Sequence, residues 1–95
     1  MDTVTVPELE ELRRSIDEVD RKILDLMTER VRLVLAVGDV KRARNMAVYD
    51  PERERRVLER LGSLAKPPLD DTTVRRVFER LIDEMRRLEQ HHVAG

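Results

Sequence analysis

An arginine occupies a position where the pattern of the chain calls for an apolar residue. From Leu9 onward, apolar residues recur at alternating steps of three and four, which predicts the buried stripe of a long amphipathic helix. The stripe consists of Leu9, Leu12, Ile16, Val19, Ile23, Leu26, Arg30, Leu33, Val37 and Val40. Because a guanidinium does not lose its proton, a buried Arg30 needs an anion beside it, either a carboxylate of the protein or a bound ligand.

Three further charges lie on apolar helix faces by their spacing. Lys41 follows Arg30 by eleven residues, which in a helix places it about 20° around the axis and ~16 Å further along. Two long cations so placed could reach opposite ends of a small dianion. Glu54 and Glu89 fall on the inner faces of the second and third predicted helices. Arg30 could also pair with either glutamate in a buried ion pair of little net stability, and both interpretations stay open.

Purely structural interpretations stay open for the other candidates as well. Lys41 could stabilise the helix dipole and extend outward, and Glu89 could be solvated near a frayed helix end. His91 and His92 are predicted to lie in a disordered tail, since an adjacent pair without carboxylate support is a poor metal site. Gly38 costs ~1 kcal/mol inside a helix, which indicates close approach by another backbone or a ligand.

Composition excludes several classes of protein. The 95 residues include 19 basic and 20 acidic ones, for a net charge of -1, whereas a nucleic-acid binder needs a basic excess. There is no cysteine, and Tyr49 and Phe78 are the only aromatic residues. No apolar run approaches the ~20 residues of a membrane span, and the N-terminus lacks the apolar region of a signal peptide. We therefore expect a cytoplasmic protein with an aliphatic core.

A long first helix is expected to position Arg30 and Lys41. It is predicted to start at Thr5, whose spacing to Glu8 fits a capping box, with Pro7 in the first turn. About 39 residues at ~1.5 Å each give a rod of roughly 58 Å. A compact domain of this size is only about 30 Å across, so its own chain cannot cover the rod. We infer a two-fold homodimer in which the long helices pack together.

Two shorter helices are expected to carry the glutamates. After a loop at 45–49, Asp50 and Pro51 predict the start of a second helix, which runs to about Leu61 and stops at Gly62. A connector with two prolines precedes a third helix, which runs to about His91. Its candidate caps are Asp70, Asp71 and Thr72. The chain is thus predicted to be one all-α domain over residues 1–95, with tails at about 1–6 and 91–95.

Taken together, these residues resemble the all-helical chorismate mutase family over about residues 9–89. An arginine, a second arginine, a Gly-x-x-Lys and an Asp-x-x-Arg-Glu stand in the family's order and spacing. The matching residues are Leu12-Arg13, Ile16, Asp20, Leu24, Glu29-Arg30, Gly38-Asp39-Val40-Lys41, Asp50-Pro51-Glu52-Arg53-Glu54, Phe78, Ile82 and Glu89.

The resemblance implies a fold and an activity. Members are intertwined three-helix homodimers with two equivalent sites, which convert the small dicarboxylate chorismate to prephenate on the way to phenylalanine and tyrosine. The step is a unimolecular [3,3]-sigmatropic rearrangement, so neither a metal nor a cofactor is expected. It needs a compact substrate conformation and donors aimed at the ether oxygen as the C–O bond breaks. Many short members also work with a larger partner enzyme, although no motif here names one.

The same resemblance implies the roles of the cations. Arg30 and Arg53 would bind substrate carboxylate, and Lys41 would donate to the ether oxygen and a carboxylate. Arg13 would enter from the other protomer. Geometry agrees, because Arg13 lies about 25 Å from Arg30 along a rigid helix and roughly 100° around its axis. It could therefore serve that site only in trans.

The acidic positions include two departures from the family pattern. Glu54 and the backbone at Asp50 would hold the ring hydroxyl. Many members carry serine where Met85 stands and glutamine where Glu89 stands, although some have glutamate there. A carboxyl donates a hydrogen bond only when protonated. We therefore expect burial to raise the pKa of Glu89, with activity falling as pH passes that value.

Three alternatives to chorismate mutase remain at this point. Met85, a bulky apolar side chain near the substrate, could favour 4-amino-4-deoxychorismate, whose ammonium would pair well with Glu54. Pyruvate elimination from isochorismate fits less well, because Arg53 and Glu54 follow the mutase pattern. A non-catalytic coiled-coil module would explain the apolar stripe but not the charges on the inner faces.

Overall fold

Three α-helices make up the part of the chain that the computed structural model describes, residues 6–95, and no strand occurs in that part. The helices are α1 (Pro7–Ala43), α2 (Pro51–Ser63) and α3 (Asp71–Ala94). The all-α fold predicted from the apolar periodicity is therefore confirmed. The predicted cap Thr5 lies outside the described residues, and Pro7 is the first residue of α1.

The end of α1 is set by an asparagine in the left-handed region. Asn45 has φ 54°, a conformation that asparagine tolerates better than most residues. Its N–H donates to Arg42 O at 3.2 Å, and the N–H of Met46 donates to Lys41 O at 2.8 Å. These two bonds form the Schellman pattern, which satisfies the last carbonyls of the helix. The chain thereby turns sharply beside Lys41.

Aspartates begin the other two helices. Asp50 accepts a hydrogen bond from Arg53 N at 3.1 Å, with Pro51 as the first residue of α2, as predicted. Of the three candidate caps of α3, Asp70 is the one used, accepting from Thr73 N at 2.7 Å. This bond lowers the pKa of the Asp70 carboxyl. Both helix starts are thus fixed by local chemistry.

The predicted stop of α2 at Gly62 is wrong. The helix continues to Ser63, and Leu64 N closes it by donating to Leu61 O at 3.1 Å. Gly62 is buried, and its φ is not positive. A Cβ at this position would lie 2.6 Å from Nε of Arg75, which itself pairs with Asp71. The glycine therefore allows close packing of α3 and does not end α2.

The predicted end of α3 is also corrected. The helix extends to Ala94, so His91 and His92 lie in its last turns and not in a disordered tail. Nε2 of His92 is 2.8 Å from Oδ1 of Asp39. This contact joins the last turns of α3 to α1, and the local pattern of α3 could not show it.

The chain divides into two units, one ending at Arg30 and one spanning Val31–Gly95, and each is described by itself. In the first unit the apolar stripe of α1 is exposed, from 42% at Leu9 to 63% at Leu26. In the second unit α2 packs against α3, with Val57, Ile82 and Met85 as the buried apolar core. The stripe of α1 is exposed here too, with Leu33 at 64%.

Candidate active site

Lys41 is held at the end of α1 by the loop that follows it. Its carbonyl accepts the N–H of Met46, and its Nζ donates to Val48 O at 2.8 Å. The residue is half-buried and its ammonium is bound to the loop, while its role at a ligand stays a prediction. An ammonium carries three donors, and two of them remain for other acceptors. The loop therefore orients a partly desolvated cation.

The first turn of α2 orients Glu54. Its cap Asp50 accepts at its side chain from Arg53 N and at its carbonyl from Glu54 N, the latter at 3.1 Å. The side chain of Arg53 is exposed, whereas that of Glu54 is only 23% exposed. One helix start thus places a carboxylate towards the interior and a guanidinium in solvent.

Glu54 forms a forked ion pair with Arg86 of α3. Arg86 Nε donates to Glu54 Oε2 at 2.8 Å, and Nη2 donates to Oε1 at 3.2 Å. Nη2 also donates to Oδ1 of Asp83 at 2.5 Å, and the guanidinium carbon lies 4.8 Å from the ring centroid of Tyr49. The bond to Glu54 raises the pKa of Arg86 despite its desolvation. The pair joins α2 to α3.

Glu89 is the buried charged residue of the second unit, with 6% of its surface exposed. Its Oε2 is buried and accepts no hydrogen bond within the described part of the chain. Burial is the main cause that raises the pKa of the Glu89 carboxyl. The positive charges of Lys41 and Arg86 lower this pKa, whereas the negative charge of Glu54 raises it. The predicted direction is confirmed, and the alternative of a solvated, frayed end is wrong.

Met85 lies one turn before Glu89 on the same face of α3 and is 4% exposed. Its burial agrees with the predicted apolar stripe of α3. Its predicted role beside a substrate stays a prediction.

Arg13 and Arg30 belong to the first unit, whereas the other candidate residues belong to the second. Arg13 is exposed, with its Nη1 3.8 Å from Oε1 of Glu10. Arg30 is half-buried. Their binding roles stay predictions.

Sequence reasoning missed two members of this cluster, Arg86 and Tyr49. Arg86 follows Ile82 by four residues and precedes Glu89 by three, so it falls on the edge of the inward face of α3. That spacing was a usable signal for Arg86. The position of Tyr49 depends on the loop after α1, for which periodicity contains no information.

Three helices of the second unit thus bring charged groups together. Lys41, Glu54 and Arg86 are all close enough to Glu89 to influence its pKa. A protonated carboxyl and an ammonium in a partly water-excluded site are suited to donating hydrogen bonds to ligand oxygens. The arrangement can therefore bind an oxygen-rich anion and stabilise charge that develops on it.

Residues 6–95 contain neither a metal-binding cluster nor a helix suited to crossing a membrane. In that range no three histidine, aspartate or glutamate side chains are grouped so that they could hold a metal ion. None of the described helices is long and apolar enough to cross a membrane.

Comparison with known proteins gives a consistent result. Residues 12–90 match the family described as chorismate mutase type II. The chorismate mutase of Methanocaldococcus jannaschii is 33% identical over 89 residues, covering 93% of this chain and 90% of that protein. The bifunctional chorismate mutase/prephenate dehydratase of Neisseria gonorrhoeae is 41% identical over 78 residues, covering 82% of this chain but only 21% of that protein. Form II of the Thermus thermophilus chorismate mutase superimposes with a TM-score of 0.84 at 34% identity, covering 87% of this chain and 94% of that one.

Proposed function

The chain belongs to the chorismate mutase type II family, and from this premise we propose that its helical site isomerises chorismate to prephenate by holding and polarising the substrate. The observation that carries the proposal is the buried carboxyl of Glu89, flanked by Lys41 and the Glu54–Arg86 pair. A coiled-coil module needs no such cluster on its inner faces. The coiled-coil alternative is therefore set aside.

The reaction needs no covalent help from the protein. The ether C–O bond breaks while a C–C bond forms within the same molecule, so electrons and atoms balance without a nucleophile or redox partner. Negative charge develops on the ether oxygen in the transition state. Lys41 and a protonated Glu89 donate hydrogen bonds to that oxygen, and Lys41 also binds a carboxylate.

The remaining residues bind and orient the substrate. Arg30 and Arg53 bind its carboxylates, while Glu54 and the backbone at Asp50 hold the ring hydroxyl. Met85, buried one turn from Glu89, supplies an apolar wall. Rate enhancement by enzymes begins near ~10⁶, or about 8 kcal/mol. A few donors worth ~3 kcal/mol each supply that amount when they are held in place before the reaction.

The functional form is an intertwined homodimer. The apolar stripe of α1 is exposed in each unit, as Leu12 at 62% and Leu33 at 64% illustrate, and burying it against a second copy provides the driving force. Arg13 of each protomer then completes the site of the other. Arg13 is exposed and its contact to Glu10 is long, which leaves it able to reorient towards an anion.

The product feeds the synthesis of phenylalanine and tyrosine. The relative from Neisseria gonorrhoeae is a bifunctional chorismate mutase/prephenate dehydratase. A larger partner enzyme and a cytoplasmic location for this chain stay predictions.

The direct experiment incubates the purified protein with chorismate, and separately with 4-amino-4-deoxychorismate, while substrate absorbance is followed. Loss of chorismate absorbance well above the uncatalysed rate supports the proposal. Turnover of neither substrate overturns it.

A further inference from the structure

The pair between Glu54 and Arg86 neutralises a carboxylate and still leaves it able to accept hydrogen bonds. Each oxygen of Glu54 receives one bond from Arg86. A carboxylate has about four acceptor positions, so each oxygen keeps one for a ligand. The forked geometry is the strongest arrangement of these two groups. Glu54 is thus an acceptor whose negative charge is already balanced.

Arg86 is held in this position from more than one side. Its guanidinium lies over the ring of Tyr49 at 4.8 Å and donates to Asp83 at 2.5 Å. Its side chain is 25% exposed, close to the 23% of Glu54. A guanidinium that is stacked, forked and partly desolvated does not leave its partner easily.

We propose that Arg86 is a specificity-determining residue that makes the site prefer a neutral hydroxyl over an ammonium at the ring carbon that Glu54 faces. The inference rests on the role of Glu54 in the proposed function. A hydroxyl needs only an acceptor, which the paired Glu54 still provides. An ammonium needs a net negative charge, and Arg86 both cancels that charge and repels the ligand.

The charges around Arg86 do not restore an attraction for a substrate ammonium. Asp83 is a second acid beside Arg86, but it is 49% exposed, so water screens its charge. Lys41 adds another cation on the α1 side of Glu89. Glu54 makes an amino substrate plausible from the sequence alone. In the folded chain, where Arg86 balances its charge, Glu54 does not favour that substrate.

The test compares kcat/KM for chorismate and for 4-amino-4-deoxychorismate in the full chain. The wild type is expected to prefer chorismate. Arg86→Met, which removes the charge but keeps much of the length, is expected to lower that preference at least about tenfold. Arg86→Gln should do the same, whereas Arg86→Lys should keep most of the preference.

A matched control is Arg87→Met on the exposed neighbour, which pairs along α3 with Glu84 at 3.1 Å. A merely structural role of Arg86 would lower both kcat/KM values together and leave their ratio unchanged. An unchanged ratio in either neutral variant that folds overturns the inference, and so does a wild type that prefers the amino substrate. Absence of any turnover by the wild type instead overturns the proposed function itself.

Discussion

Glu89 of α3 packs directly against Gly38 of α1. A Cβ at Gly38 would lie 3.0 Å from Cγ of Glu89 and 2.9 Å from Cγ2 of Val93. Real Cβ atoms rarely approach other atoms so closely, so any larger residue at this position must displace α3 side chains. The glycine therefore sets the depth at which the buried carboxyl lies beside Lys41.

Gly38→Ala is expected to lower kcat at least about tenfold, because displacing a reacting group by about 1 Å can cost ~10² in rate. Alanine also gains about 1 kcal/mol of helix propensity, which offsets part of the strain. Steady-state kinetics together with urea unfolding separates the two effects. A more stable variant with unchanged kcat would show that this contact does not position Glu89.

Glu89→Gln is expected to flatten the dependence of kcat on pH. Burial raises the pKa of Glu89, so the donating, protonated form is lost as pH rises through that raised value, and wild-type activity falls. A glutamine amide donates at every pH. Profiles of kcat against pH for both proteins provide the comparison, and identical profiles would refute the role of Glu89 as a donor.

The same shift in the pKa of Glu89 affects stability. The folded chain binds the proton of Glu89 more tightly than the unfolded chain does. The free energy of unfolding should therefore fall as pH rises from the unfolded pKa through the raised folded one. Urea unfolding across this range should show a smaller decrease in Glu89→Gln, and an equal decrease would assign the effect to other groups.

Lys41→Met is expected to reduce kcat by about 10² or more through loss of a donor to the ether oxygen. It also leaves Val48 O without the 2.8 Å bond from Nζ. Arg42→Met serves as the control, because Arg42 is the exposed neighbour in the same last turn. If both variants had wild-type kcat, Lys41 would not be a catalytic residue.

Mixing two inactive variants tests the homodimer and the action of Arg13 in trans. Arg13→Ala and Arg30→Ala should each lose most activity alone. In a mixed dimer one of the two sites regains both arginines, so random reassortment should restore about a quarter of wild-type activity. Assays after co-refolding measure this recovery. No recovery, with mixed dimers demonstrated by mass spectrometry, would place both arginines in the same protomer's site.

The periodicity of the chain was enough to predict the three helices and to place Glu89 on the inner face of α3, with a solvated position as the alternative. Capping chemistry predicted Asp50 as the cap of α2 and left three candidates for α3, of which Asp70 is used. These features follow from local spacing and capping chemistry. The contact between His92 and Asp39 at the end of α3 could not be predicted in this way, because the two residues are 53 apart in the sequence. Gly62 was misassigned for a similar reason: its role comes from the approach of Arg75 on another helix.

Some residues of the site could be predicted from the sequence and others could not, for the same reason. Lys41, Glu54 and Glu89 were found because a charge on an apolar face is visible in the sequence. The partner of Glu54 was not, since identifying Arg86 requires knowing how α2 and α3 pack. Arg13 and Arg30 keep their predicted roles without a test.

The proposed isomerisation is best checked by identifying the product formed when catalytic amounts of the purified chain act on chorismate, using proton NMR over time. We expect quantitative conversion to prephenate, far faster than in buffer, with no pyruvate released. Conversion at the buffer rate, or release of pyruvate in place of prephenate, would refute the proposal.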